Sequence, residues 1–207
     1  MSSQPKYDNG NKKYYELIDR EYIYIYDNIQ IMSCLMTAPS SSYNIDTKKG
    51  QKFWLLGDVY NFHITGAETD GKYAVLEITS PSGSSPPLHS HSKETEGFYV
   101  IDGEFLFQYG DESSNNKIAV AKTGTFLHLK KNIPHTYKNV GNSTGRLLFT
   151  ILPAGFENFF AEVGIPINNK EDFSPPSTDS IDIMKIVKIA DEEYGVKIVT
   201  TVPDQGK

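Results

Sequence analysis

From Phe53 to Leu152 the chain keeps returning to short apolar or alternating runs closed by turn residues: KYAVLEITSP, GFYVIDG, EFLFQYG, KIAVA, GTFLHLK and GRLLFTILP. Alternation with a period of two is the signature of a strand with one buried face, and runs this short between turns leave no room for long helices. Asp70–Gly71 and Asp102–Gly103 are dipeptides that join antiparallel neighbours. The pattern therefore predicts an all-β unit, an antiparallel sandwich or barrel, over residues 51–152. No internal repeat interrupts it.

The flanks read differently. Residues 1–50 form an N-terminal extension with a polar, Gly/Asn/Lys-rich start, expected to be flexible. It continues into REYIYIYDNIQIMSCLM, two β-favouring runs around Asp27–Asn28 that predict a hairpin. In residues 153–207, Phe156, Phe159, Phe160 and Val163 recur at helical spacing before Gly164, which is placed to end the helix. Beyond a loop carrying Pro166, Pro175 and Pro176, a second helix is expected, with Ile183, Val187, Ala190 and Tyr194 on one face and Ser or Asp available as its cap. Both helices are expected to pack on the barrel.

At 207 residues one well-filled domain suffices, and 38% hydrophobic with 22% charged residues suits a soluble globular chain. A net charge of −6 without a Lys/Arg stripe argues against nucleic acid or an anionic membrane surface as partner. The single cysteine, Cys34, excludes an intrachain disulfide framework and fits a reducing compartment. The first residues lack the apolar core of a secretory signal, so a cytoplasmic location is expected.

Residues 89–103 read HSHSKETEGFYVIDG. Residues two apart in a strand point to one face, so His89 and His91 project together. Glu96 begins the next strand and shares a face with Phe98 and Val100. His135, in GTFLHLKKNIPHTYKN, follows a proline turn and shares a face with Tyr137 and Asn139. Two imidazoles and a carboxylate suit a borderline divalent ion, with His135 as a further candidate ligand. A charged surface loop and a coincidence of polar residues remain open on spacing alone.

The same residues resemble the cupin family. The first cupin motif, G-x5-H-x-H-x4-E-x6-G, is met in full by Gly83, His89, His91, Glu96 and Gly103. The second, G-x5-P-x-G-x2-H-x3-N, is met by Gly124, His135 and Asn139, with Lys130 at the motif proline and Asn132 at the motif glycine. These departures touch the turn before the ligand strand, and asparagine tolerates the left-handed backbone that glycine would supply. The order WLLGDVYNFHITG, SPPLHSH and LPAGFENFFAEVG further resembles single-domain cupins grouped with quercetin 2,3-dioxygenase, over roughly residues 53–200.

The resemblance implies a cupin β-barrel or jelly roll whose interior holds one divalent transition ion (Fe, Ni, Mn, Co or Zn) through His89, His91, Glu96 and His135. It implies a dioxygenase acting on a flavonol or another small enolisable compound, with dioxygen as co-substrate and Glu96 accepting the substrate's hydroxyl proton. A redox-neutral cupin enzyme, an isomerase or decarboxylase, and a non-catalytic small-molecule-binding cupin are the alternatives. Phe98 and Tyr137 point inward by alternation and are the candidate substrate-binding residues. A homodimer is expected, with the 21–36 hairpin suited to a strand exchange. His63 and His128 read as structural histidines, Cys34 as an inert thiol, KETE apart from Glu96 as a solvated loop, and the Phe stripe as packing on the barrel.

Overall fold

The computed structural model describes residues 50–110, 117–168, 174 and 181–199, together with the backbone pairing of three strands nearer the N-terminus. The chain divides into two units, Met1–Ser41 and Ser42–Lys207. In the first, β1 (Lys6–Tyr7), β2 (Lys13–Glu16) and β3 (Tyr22–Ile25) form an antiparallel sheet in that order. β3 supplies the first arm of the expected hairpin, but it pairs backward with β2, Tyr24 opposite Tyr14. The Asp27–Asn28 turn, the second arm and Cys34 lie outside the described residues.

The second unit is mostly β. Its strands are β4 (Lys52–Leu55), β5 (Asp58–Ile64), β6 (Ala74–Ser80), β7 (His89–His91), β8 (Thr95–Asp102), β9 (Glu104–Tyr109), β10 (Lys117–Lys122), β11 (Phe126–Leu129), β12 (His135–Asn139) and β13 (Gly145–Leu152). Then follow α1 (Glu157–Val163), β14 (Ile165–Pro166), α2 (Ile183–Glu192) and β15 (Val196–Ile198). Two antiparallel sheets result, ordered β11-β8-β13-β6-β5-β4-β14 and β10-β9-β12-β7-β15. The sheets are not closed into one hydrogen-bonded barrel, so of the two expected forms the jelly-roll-like one is realised. No helix among the described residues is long and apolar enough to cross a membrane.

The alternation does what it predicts. In β6 and β13 every second residue is buried. Leu76, Ile78, Phe98, Val100, Leu147, Phe149 and Ile151 of the seven-stranded sheet share one core with Phe105, Phe107 and Tyr137 of the five-stranded one. Phe98 stacks on Phe149 at 4.7 Å and meets Phe107 of the other sheet at 5.5 Å between ring centroids. Each such side chain contributes about 1.5–3 kcal/mol by leaving water.

One turn has an unexpected composition. β4 and β5 are joined by Leu56 (φ 49°) and Gly57 (φ 105°), a two-residue hairpin loop with both φ angles positive. Glycine takes that backbone freely, whereas a leucine does so only under steric strain.

Both C-terminal helices form. Asp182 caps α2 by accepting from Lys185 N at 3.0 Å. α1 stops at Gly164, but not through a left-handed cap: Gly164 is extended, φ −79° and ψ 158°. A Cβ there would lie 2.3 Å from the Phe160 carbonyl oxygen and 3.0 Å from Phe53 Cβ, so close approach requires the glycine. The start of α1 is tied by Glu157, a buried residue unremarked in the sequence. Its carboxylate accepts from Gly155 N at 2.6 Å and, across the fold, from Gly66 N at 2.8 Å.

Candidate metal centre

His89 and His91 lie on β7, His135 on the adjacent β12, and Glu96 on β8 of the other sheet. His135 stands directly opposite His89 in the β12–β7 pairing, which brings their Cβ atoms to roughly 5 Å. One potential ligand atom from each of the four residues falls within a mutual 4.8 Å. His135 Nε2 is 2.7 Å and His91 Nε2 3.2 Å from the two Glu96 oxygens. The cluster thus spans the gap between the sheets, three donors from one and one from the other.

Each imidazole is oriented from behind. The Pro87 carbonyl lies 2.7 Å from His89 Nδ1, and the Ile133 carbonyl 2.9 Å from His135 Nδ1. A carbonyl accepts only, so each Nδ1 carries a proton, which would leave each Nε2 as the nitrogen to turn its lone pair to a bound ion. His91 turns its Nδ1 to Glu94, at 3.5 Å. Glu94 is therefore no part of a solvated loop: it is 4% exposed, because β7 and β8 close tightly around it. Its place two residues before the motif glutamate gave no signal. The turn preceding His135 holds Asn132 at φ 64°, the left-handed backbone asked of the motif glycine, and Asn132 N donates to the His91 carbonyl at 2.6 Å.

The electrostatics suit a cation. Burial would raise the Glu96 carboxyl, but the His91 charge and the His135 hydrogen bond and charge prevail and hold it at about 2. Burial, with His135 and His91 adding, pushes His89 down to about 3, leaving a neutral imidazole. Burial would lower His135 too, yet the Glu96 hydrogen bond and charge raise it. Despite these approaches, His91 Nε2, His135 Nε2 and Glu96 Oε2 are buried without a well-formed hydrogen bond. Buried polar atoms are rarely left so, and unpaired donor atoms aimed at one point are what an absent ion would satisfy. The residues fit the implied metal.

The cluster opens on a cavity of about 110 Å3. His89, Glu96 and His135 line its inner end, and Phe98 and Tyr137 line its wall as alternation predicts. The remaining lining is apolar apart from Asp58 and Tyr60. Asp58, 2% exposed, accepts from Tyr137 Oη at 2.5 Å and Ser84 Oγ at 2.7 Å. Burial raises its carboxyl, against the pull of the Tyr137 and Ser84 hydrogen bonds.

The Phe stripe does more than pack: Phe156, Phe159 and Phe160 of the α1 region and Ile186, Val187 and Ala190 of α2 also line the cavity. Phe156 meets the His91 ring edge-on at 4.4 Å. After α2 the chain adds β15 beside the ligand strand, Val196 opposite His91 and Ile198 opposite His89. His63 lies apart, its Nε2 3.5 Å from Glu77, and His128 is exposed on β11.

Two facing antiparallel sheets with three imidazoles and a carboxylate converging between them define a jelly-roll protein with a candidate mononuclear metal centre. Residues 75–151 match the family model described as the cupin domain. The chain is 26% identical over 125 residues to quercetin 2,3-dioxygenase of Bacillus subtilis, covering 60% of this chain and 35% of that one. It is 29% identical over 82 residues to an uncharacterized protein of Methanocaldococcus jannaschii, covering 40% of this chain and 62% of that one. It thus spans about a third of the first relative's length and under two thirds of the second's. Among solved structures it is similar to a predicted oxalate decarboxylase from Thermotoga maritima, at 20% identity and TM-score 0.49, over 54% of this chain and 99% of that one. It is also similar to an RmlC-like cupin from Shewanella frigidimarina, at 17% identity and TM-score 0.47, over 57% and 96%.

Proposed function

We propose that the chain is a metal-dependent dioxygenase of the quercetinase-like type, acting on a flavonol or another small enolisable compound. The observation that carries this reading is the placement of the four-residue donor cluster at the inner end of an apolar, aromatic cavity. A transition ion held by His89, His91, Glu96 and His135 would supply Lewis acidity and, if redox-active, electron exchange with dioxygen.

The chain's own residues supply the rest. Glu96, at the cavity's edge of the cluster, would accept the proton of an enolic hydroxyl as the substrate enters. The Pro87 and Ile133 carbonyls keep His89 and His135 in one tautomer. The stacked Phe98 and Phe149 rings offer a planar apolar wall and exclude water. The lining contains no lysine or arginine among the described residues. The apolar lining therefore favours a largely neutral, planar substrate beyond the part that would meet the metal.

Elemental analysis of the purified protein combined with oxygen uptake across a panel of flavonols tests the reading. One equivalent of metal and uptake that scales with metal content are expected. Stoichiometric metal with no uptake on any enolisable compound would replace it with a redox-neutral enzyme, an isomerase or decarboxylase, or a binding protein.

A further inference from the structure

The cavity has a second polar pole. Asp58 opens β5 on the seven-stranded sheet, and its carboxylate is buried and reaches across to Tyr137 on β12, two residues along the strand from the ligand His135. Two residues along a strand are separated by about 6.8 Å. Tyr137, the pole's hydrogen-bond donor, therefore stands one strand repeat from a donor of the cluster.

A tie between the sheets explains the Tyr137 hydrogen bond but not the carboxylate. An ionised oxygen pair offers about four acceptor positions; hydroxyls of Tyr137 and Ser84 fill two, and Ser80 stands as a third donor beside it. Among the described residues no cation faces Asp58, although burying an unpaired carboxylate is expensive. An amide or a hydroxyl would close the same tie without that penalty. The backbone adds an independent sign. Asp58 is delivered by the hairpin loop in which Leu56 sits at φ 49°, and Leu56 itself lines the cavity. Strained non-glycine residues gather at binding sites, where the surrounding structure can hold them.

We propose that Asp58 is a specificity-determining residue: its free acceptor positions receive a hydroxyl on the part of the substrate remote from the donor cluster. The substrate class is a planar compound with a chelating oxygen pair at one end and a hydrogen-bond-donating hydroxyl at the other, lying against Phe98 and Phe149. Tyr137, which donates to Asp58 Oδ2, fixes the carboxylate's orientation. This rests on the metal-dependent reading of the cavity given above and adds a rule for which members of the class bind.

The test is binding to the full chain loaded with one equivalent of Ni(II) under argon, where turnover does not intervene. The probes are quercetin, which carries further hydroxyls, and 3-hydroxyflavone, which has only the chelating pair. The wild-type protein is expected to prefer quercetin by tenfold or more, and Asp58→Asn to reduce that preference at least fivefold, with Ni(II) content unchanged and 3-hydroxyflavone affinity retained. Equal binding of both probes to wild type overturns the Asp58 inference alone and needs no variant to fold. A variant that weakens both probes equally would reduce Asp58 to a structural tie and likewise overturn it. Binding of neither probe would overturn the flavonol reading, and the inference with it.

Discussion

The donor cluster and the helical cap enclose the same cavity by opposite means. At the cluster, four polar side chains are placed by strand register, two of the imidazoles with a carbonyl behind them, and inward atoms of His91, Glu96 and His135 lack a well-formed hydrogen bond. At the cap, aromatic and aliphatic side chains on two short helices simply cover apolar space. The first arrangement tolerates no change of atom type, because an unpaired buried donor atom has a single remedy. The second tolerates change of shape, with a penalty that follows volume. One end of the cavity is specified by chemistry and the other by packing.

The largest expected effect separates the two ends outright. His135→Ala should remove most of the bound metal while the circular dichroism of the sheets persists; full occupancy in that variant would mean that the cluster is not the site. Next comes the cap. Phe156→Ala should lose about 3–5 kcal/mol of stability in urea melts, as large buried aromatics do, yet still fill with metal at saturation. If it emptied as His135→Ala does, the division between the ends would fail, and the edge contact of Phe156 with His91 would be the reason. Glu94→Gln should weaken metal affinity by about tenfold, a typical effect of a carboxylate behind a ligating imidazole, measured by competition with a chelator. An unchanged affinity would return Glu94 to the role of bystander.

The smallest effect concerns pH. Burial holds the Asp58 carboxyl above its ordinary value. Between that ordinary value and the raised one, the folded chain keeps a proton that the unfolded chain has released, so this group's contribution to stability falls as pH rises through the interval. Asp58→Asn cannot lose that proton. Its melting temperature relative to wild type should therefore climb as pH rises above the ordinary carboxyl value; a constant difference would show that the carboxylate is not held under strain.

The strands were legible because alternation is local, whereas the four donors, left open by spacing alone, came from the resemblance of the two motifs. Alternation sets which face is buried, and H-x-H followed by Glu96 fixes three donors within one hairpin. Even the Asn132 departure was readable, since asparagine's tolerance of a left-handed backbone is a local property. Glu94 was not, because KETE offers two glutamates and only the closure of β7 on β8 decides which is buried. Asp58, Glu157 and the cavity-facing side of α2 were not, because their partners are 79 residues away for Asp58, 91 for Glu157 and on other elements for α2. The Phe stripe was readable as helical, but packing alone decides whether such a face meets core or cavity.

The pairing of β15 with β7 carries a consequence for how the protein is made. The ribosome delivers His89, His91, Glu96 and His135 well before Val196–Ile198 emerge, yet the strand holding two of those histidines gains its outer neighbour only then. During translation the nascent chain therefore owns all four candidate ligands while the strand bearing two of them still has a loose flank.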